Sequence, residues 1–440
     1  MQGNNNAMLR HFALLICISS LLISCVTTDP FIPVDNMVQQ GEFPAAVERL
    51  EERKNKLYRN RDSVLYYLDK GMLARYAGDY TESITLLQQG ERAIEANYSV
   101  SISQEIGTFI TSDRAREYDG EDYEDIYLNL FNALNYYHCG DLEGAMVEIR
   151  RSSNKLRDLS SRYGILMTNM QRMAIDNGTD IPRNPDAPSQ FNNSALARYL
   201  GMLFYRGTGN MDSARIDQNQ IRIAMANNPA IYTHPVPSSI AEELNIPRGM
   251  ARLNVISFTG RSPIKEEEVT RIFLRNSWIR IALPVMVSRP SQINSVEVIL
   301  DSGESFTLEL LEDISAVAKA AFTHKKNVIY TKTIMRAVLK GLTTSALFAA
   351  AETSENNSGL FTILGVGAQV FSEASERADL RMSRFFPGKA YVGGINLPPG
   401  TYSFTVTYYD HNKQIIAQHH HENVEVLQNT LNLTEDVCLK

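Results

Sequence analysis

Apolar positions in the first half of the chain recur with helical spacing, and a repeated turn punctuates them. Gly41-Glu42-Phe43 is followed by Ala46 and Leu50, Gly78-Asp79-Tyr80 by Ser83 and Leu87, and Gly140-Asp141-Leu142 by Ala145 and Ile149. A glycine accepts the left-handed backbone of a tight inter-helix turn, and an acidic residue suits the N-terminus of the next helix. A small residue three positions after the apolar one lets neighbouring helices approach. A looser copy runs from Gly201 and Phe204 through Gly209-Asn210-Met211 to Ala214 and Ile221, ending at Asn228-Pro229. The pattern predicts stacked helix pairs between Asp35 and Pro229, arranged as a repeat solenoid or as a non-repeating bundle.

Pro235, Pro237 and Pro247 end the helical spacing, which places a boundary there. Beyond it the period becomes two. Ile279, Ile281, Leu283, Val285 and Val287 alternate, as do Phe306, Leu308 and Leu310 after the Asp301-Ser302-Gly303 turn. Tyr402, Phe404, Val406 and Tyr408 alternate behind Pro398-Pro399-Gly400, and Asp410-His411-Asn412 offers a turn before Gln414 to Gln418. These segments are expected to share one sheet, with Pro284 marking an edge strand or bulge. Between them a helical insertion is predicted over 312–381. From Gly341 to Phe371 its only charges are Glu352 and Glu355, and Gly341, Ser345 and Ala349 recur at every fourth position. That spacing predicts an apolar hairpin with arms too short to span a bilayer, free to pack on the sheet, dip into a leaflet or enter a partner. The expected fold class is mainly α with an α+β C-terminal part. It comprises a helical-repeat solenoid over 35–230, a linker over 231–250, and a small β-sheet domain over 251–440 carrying the insertion.

The repeated turns, with Tyr67, Gly71 and Ala74 upstream of the second and Ala133 and Tyr136 upstream of the third, resemble the tetratricopeptide repeat. The spacing between turns is longer than that repeat's usual 34 residues, and an insertion around Tyr98 to Asp122 displaces the third. The third copy joins Tyr118-Asp119-Gly120-Glu121-Asp122-Tyr123-Glu124 to Ala133-Leu134-Asn135-Tyr136 and Val147-Glu148-Ile149-Arg150-Arg151. This combination resembles an uncharacterised family of bacterial lipoproteins with N-terminal tetratricopeptide-like repeats and a C-terminal mixed α/β domain. The resemblance implies location and architecture more than activity. Glu124, Glu148, Arg150 and Arg151 are candidates for a charged patch that binds a partner, or are ordinary solvated helix charges.

Met8-Leu9-Arg10 precedes the apolar run Phe12 to Ile23, and Ser24-Cys25 follows. This is the layout of a secretory signal peptide over 1–24, with a core below the ~20 residues that span a bilayer. Leu22-Ile23-Ser24-Cys25 resembles a bacterial lipobox, in which the Cys25 thiol takes a diacylglyceryl group and becomes the mature N-terminus; the alternative is an uncleaved apolar end with an incidental cysteine. Acyl chains such as palmitate contribute about 0.8 kcal/mol per buried CH2, so two or three hold a soluble body to a membrane. Residues 25–34, with Thr27, Thr28, Pro30 and Pro33, read as an extended tether. By resemblance to Gram-negative lipoproteins, Val26 after the cysteine favours the outer membrane, facing the periplasm.

Composition narrows the functional classes. The 440 residues exceed one ordinary domain, and 44% hydrophobic with 21% charged residues excludes disordered and polytopic membrane chains. A net charge of -7 without a basic block argues against nucleic acid as a partner. After export Cys139 and Cys438 remain, as one disulfide or two thiols. No Gly-x-Ser-x-Gly elbow, phosphate-binding Gly-x4-Gly-Lys-Ser/Thr loop or His-Glu-x-x-His helix occurs, and Gly365-Val366-Gly367 lacks the rest of the dinucleotide fingerprint. His419-His420-His421 is the strongest metal candidate, because positions 419 and 421 share a strand face, but it lacks a third placed ligand, and an exposed strand end is the plainer reading. No catalytic residue, metal site or cofactor is therefore assigned. The expected function is a non-enzymatic, membrane-anchored scaffold in envelope assembly or regulation. Its partners are the bilayer, through the acyl chains on Cys25, and an unidentified envelope protein. The alternatives are an enzyme acting on envelope polymers, which needs a cleft with a carboxylate of raised pKa, and capture of a small ligand or metal.

Overall fold

The computed structural model describes residues 29–103, 113–176, 191–274, 277–352 and 377–440. The signal segment 1–24, Cys25 and the second arm of the apolar hairpin, Leu360 to Phe371, lie outside the described residues.

Helix hairpins form the first half. They are α1 (Ile32–Gln40) with α2 (Phe43–Glu52), then, after the short α3 (Lys54–Leu57), α4 (Ser63–Tyr76) with α5 (Tyr80–Ser103). These are followed by α6 (Asp122–His138) with α7 (Leu142–Asp176) and α8 (Ala195–Gly207) with α9 (Met211–Asn227). Each hairpin turns on a glycine, with φ of 82° at Gly41, 85° at Gly78, 78° at Gly140 and 76° at Gly209, a region where a Cβ is costly. The small residues after these turns, Ala46, Ser83, Ala145 and Ala214, are all 0% exposed. At the α4–α5 contact a Cβ on Gly71 would come within 2.9 Å of the Leu87 side chain, so that crossing depends on glycine.

The second half is built on β1 (Ala251–Arg261), β2 (Ile264–Leu274), β3 (Ser277–Val287), β4 (Ser295–Leu300) and β5 (Ser305–Asp313). After α10 (Ile314–Glu352) come β6 (Pro387–Leu397), β7 (Gly400–Tyr409), β8 (Ile415–Val426) and β9 (Asn432–Cys438). Seven strands form one mixed sheet in the order β8-β7-β4-β5-β6-β1-β9, antiparallel except for the β1–β9 pair. The sheet curls nearly into a barrel. Its edge strands approach where His419 and His421 of β8 lie 2.5 and 3.0 Å from the Asp436 carboxylate of β9. Leu253, Val255, Val298, Leu308, Phe404 and Val406 fill the inside. On the outer face Ile256, Phe258, Ala390 and Val392 join the helical core, with the Phe131 and Phe258 rings 5.1 Å apart.

The expected fold class is corrected here. The chain is not mainly α with a solenoid followed by a small β-sheet domain: about half of it is helical, and the sheet is a large, nearly closed seven-stranded one. The reason is a shared core. Every residue of α6 from Asp122 to Asn135 is buried, because the helix is enclosed by its neighbours and the sheet. Residues 231–250 form a packed joint, in which Ile231, Tyr232 and Ile240 are buried and Glu243 bonds Arg206 and Arg252. The segment 279–287 does not share the main sheet either. It pairs with β2 in a separate ribbon, where Ile281 and Leu283 pack on Tyr330 and Ile334 of α10, and Pro284 lies opposite Glu267. Over the insertion, α10 runs 39 residues without a break at Gly341.

Glu312 at the end of β5 ties the two halves together. It is 0% exposed and accepts bonds from Ser194 Oγ at 2.8 Å, Tyr232 Oη at 2.5 Å, Leu196 N at 3.2 Å and the Tyr127 hydroxyl. Neutral donors from α6, the start of α8 and the joint thus satisfy a carboxylate that would otherwise be costly to bury. Burial and then the Glu312 charge hold the Tyr127 and Tyr232 hydroxyls well above their ordinary range.

Candidate functional site

Residues 377–386 (Arg377-Ala378-Asp379-Leu380-Arg381-Met382-Ser383-Arg384-Phe385-Phe386) carry no regular structure and thread between α4, α6 and the β2–β3 ribbon as a strap. A chain inside a protein must find partners for its peptide groups. Here side chains supply many of them. Glu267 accepts from Ala378 N at 2.8 Å, Glu124 Oε1 from Ser383 N at 2.6 Å, and Asp69 Oδ1 from Arg384 N at 2.7 Å. Lys265 Nζ donates to Arg381 O at 3.1 Å, Arg289 to Arg384 O at 2.5 Å and Tyr76 Oη to Phe385 O at 2.9 Å. Phe385 and Phe386 are fully buried, and Phe386 meets Tyr123 and Phe131 ring to ring.

Two carboxylates clamp the strap. Asp69 also accepts from Tyr58 Oη at 2.8 Å and Ser383 Oγ at 2.7 Å; Glu124 accepts from Tyr118 Oη at 2.8 Å and Glu121 N at 2.9 Å. Burial raises Asp69 to about 6, against the pull of the Ser383 and Arg384 bonds. Burial and the nearby Glu121 charge raise Glu124 to about 7. With exposures of 1% and 0%, both carboxylates spend their oxygens on the protein itself.

Beside the strap opens a cleft of about 800 Å³. Among the described residues every cation on its wall is an arginine: Arg59, Arg61, Arg114, Arg280, Arg377, Arg381 and Arg384, facing Asp62, Asp69, Glu267 and Asp379. Arg381 is held by Asp62 at 3.0 Å and Asp379 at 2.8 Å. Arg384 sits over the Phe31 ring, 4.4 Å from its centroid, and reaches Asp35 at 2.6 Å and Asp29 at 3.0 Å. Arg59, Arg61, Arg114 and Arg377 make no ion pair among the described residues. A neighbouring chamber of about 90 Å³ is filled by charge: Lys325 donates to Asp119 at 2.8 Å, Gly120 O at 2.5 Å and Glu121 at 3.2 Å, and Lys265 pairs with Glu121. Against the effect of burial, Asp119 and Glu121 hold the Lys325 ammonium well above its usual value.

The charged residues singled out from sequence divide. Glu124 lies inside, on the strap. Glu148, 3% exposed, accepts from Asn129 at 2.6 Å and lies 3.5 Å from Arg151, which reaches Glu91 at 3.0 Å; Arg150 is exposed. Asp69, Lys265, Lys325, Arg381, Ser383 and Arg384 went unnoticed in the sequence. The one usable signal was the Tyr118 to Glu124 motif, whose Tyr118, Asp119, Glu121 and Glu124 all meet the strap or its lysines.

The seam histidines share one carboxylate. Asp436 pairs with both His419 and His421, and among the described residues no group of three or more His, Cys, Asp and Glu is placed to hold a metal ion. The Asp436 bond and charge raise the His419 value, although burial opposes it. Cys139 and Cys438 are both free thiols, and burial pushes Cys438 up to about 11. No described helix is long and apolar enough to cross a membrane. Comparison of the chain with protein-family models, curated proteins and solved structures finds no match.

Proposed function

We propose that the protein is a non-enzymatic envelope lipoprotein of the kind its Tyr118 to Glu124 motif resembles. On this reading acyl chains on Cys25 anchor it, at the outer membrane facing the periplasm, and it serves as a protein-interaction scaffold in envelope assembly or regulation. The observation that carries the reading is where the chain enters the body. Asp29 is bonded to Arg384 and Phe31 forms part of the cleft wall, while Cys25 stands four positions before Asp29. Four extended residues reach about 14 Å at most, so an anchored molecule turns its cleft face to the bilayer. The spent oxygens of Asp69 and Glu124 favour a positioning role over acid–base chemistry.

Metabolic labelling with a fatty acid tests the anchor. The wild type should be labelled and sediment with membranes, and Cys25→Ser should lose both properties. An unlabelled, soluble wild type would refute the anchor. Crosslinking in intact cells, read by mass spectrometry, then identifies the protein partner.

A further inference from the structure

We propose that the arginine cleft binds the phosphate of anionic phospholipid headgroups in the membrane that holds the protein. The direction in which the cleft faces rests on the Cys25 anchor; the binding chemistry does not.

Four observations converge on this. The first is charge placement. A chain of net charge -7 is repelled as a whole by an anionic surface, yet this cleft sets seven arginines against four carboxylates. Basic residues are attracted to an anionic lipid surface and act within a Debye length, so they matter most on the face nearest the anchor.

The second is chemistry. Guanidinium presents a planar fork of donors that matches two oxygens of one phosphate, which an ammonium cannot do. Among the described residues the cleft contains no lysine or histidine. The third is availability. Arg381 and Arg384 are committed to carboxylates and fix the strap, whereas Arg59, Arg61, Arg114 and Arg377 line the same space without an ion pair among the described residues. The fourth is the rest of the lining. Leu57, Leu65, Leu380 and Met382 share the wall with these arginines, and Leu380 is 44% exposed. A headgroup phosphate on the arginines would leave its glycerol and first methylenes against these side chains. A small inorganic anion would leave them bare.

The test uses residues 26–440, which retain every described residue and lack the anchor, so its outcome does not depend on lipidation. Binding is read by co-sedimentation with vesicles of phosphatidylcholine alone and with added phosphatidylglycerol. The expected result is binding only to the acidic vesicles, reversed by high salt. Arg59→Ala combined with Arg61→Ala should weaken it by about tenfold or more with unchanged melting. Arg150→Ala combined with Arg215→Ala removes the same charge from outside the cleft and should have little effect. Equal binding to neutral vesicles, or equal loss in the two double variants, would overturn the proposal. Titration with inorganic phosphate and glycerol phosphate forms a separate arm: saturable binding there that is lost with Arg59 and Arg61, without vesicle binding, would assign the cleft to a soluble phosphate compound and overturn the membrane source. Fatty-acid labelling reads the anchor independently. Vesicle binding with an unlabelled Cys25 would uphold the cleft and remove the anchor, and labelled protein that ignores acidic vesicles would do the reverse.

Discussion

Two buried carboxylate centres, one at the middle of α4 and one at its C-terminal end, show how partner chemistry decides what burial does. At the middle, Asp69 and, across the strap, Glu124 are surrounded by hydroxyl and peptide N–H donors, and burial lifts them to about 6 and 7. Near its end, Glu435 of β9 is almost as deeply buried but touches the Arg75 guanidinium and lies 2.6 Å from His138; burial pushes it upward, yet Arg75 and His138 bring it to about 2. Neutral donors only soften the cost of desolvating a charge, whereas a cation reverses it. One centre therefore favours the folded state in acid and the other near neutrality.

The sharpest way to break this comparison is Glu435→Ala. Arg75 is 3% exposed and would be left as an uncompensated buried cation, which costs about 3–5 kcal/mol. An unfolding free energy lowered by less than about 1 kcal/mol in a denaturant titration would show that Asn135 and Phe131 O suffice for Arg75.

Next in size is the pH profile. The folded-state values of Asp69 and Glu124 lie above their ordinary 3.8 and 4.5, so the fold binds protons that the unfolded chain does not. Their contribution is complete below about pH 4 and is lost as pH rises through about 6 and 7, by roughly 3 kcal/mol for each carboxylate. Glu435 has the opposite sign: its stabilisation is present above 4.5 and disappears as pH falls through about 2. Thermal stability should therefore rise from pH 8 to pH 5 and collapse in strong acid. A melting temperature that falls steadily from pH 8 to pH 5 would refute the assignment for the strap carboxylates.

Glu124→Gln comes third. The amide can satisfy only part of the set formed by Ser383 N, Tyr118 Oη and Glu121 N, so one buried donor loses its acceptor at about 1–2 kcal/mol. The loss should be larger at pH 5 than at pH 8, because at pH 8 the wild type also carries the cost of the ionised Glu124. A pH-independent loss would argue that Glu124 does not titrate in the fold.

The smallest effect is expected at Glu91, where Lys155 at 2.7 Å and Arg151 at 3.0 Å share one buried carboxylate. Arg151 is half exposed, so Arg151→Ala should cost under about 1 kcal/mol, since Lys155 remains. A large loss in a chemical melt would mean that both cations are needed.

Legibility in the sequence followed the range of the interactions. The glycine turns at 41, 78, 140 and 209 could be read because left-handed backbone is a local demand, met by residues next to one another. The strand at 402–408 alternated visibly. β1 did not, because Ala251 to Gly260 are all buried, with Val255 facing the sheet interior and Phe258 the helices; a strand covered on both sides has no polar face to mark its period. β2 was hidden by Lys265-Glu266-Glu267-Glu268, whose charges serve partners elsewhere, as with Lys265 on Glu121 and Glu267 on the strap. Glu124 read as a surface charge because its principal partner, Ser383, lies 259 positions away.

What the sequence by itself determined was local: helix pairs and their turns, and the alternating strands. The packing of α6 on the outer face of the sheet, the Asp69–Ser383–Glu124 clamp and the grouping of arginines from α4's approach, the ribbon and the strap were decided only by tertiary structure. Each of these depends on charges and rings from distant segments being buried together, and a carboxylate acquires its meaning from whichever donor or cation the fold places against it.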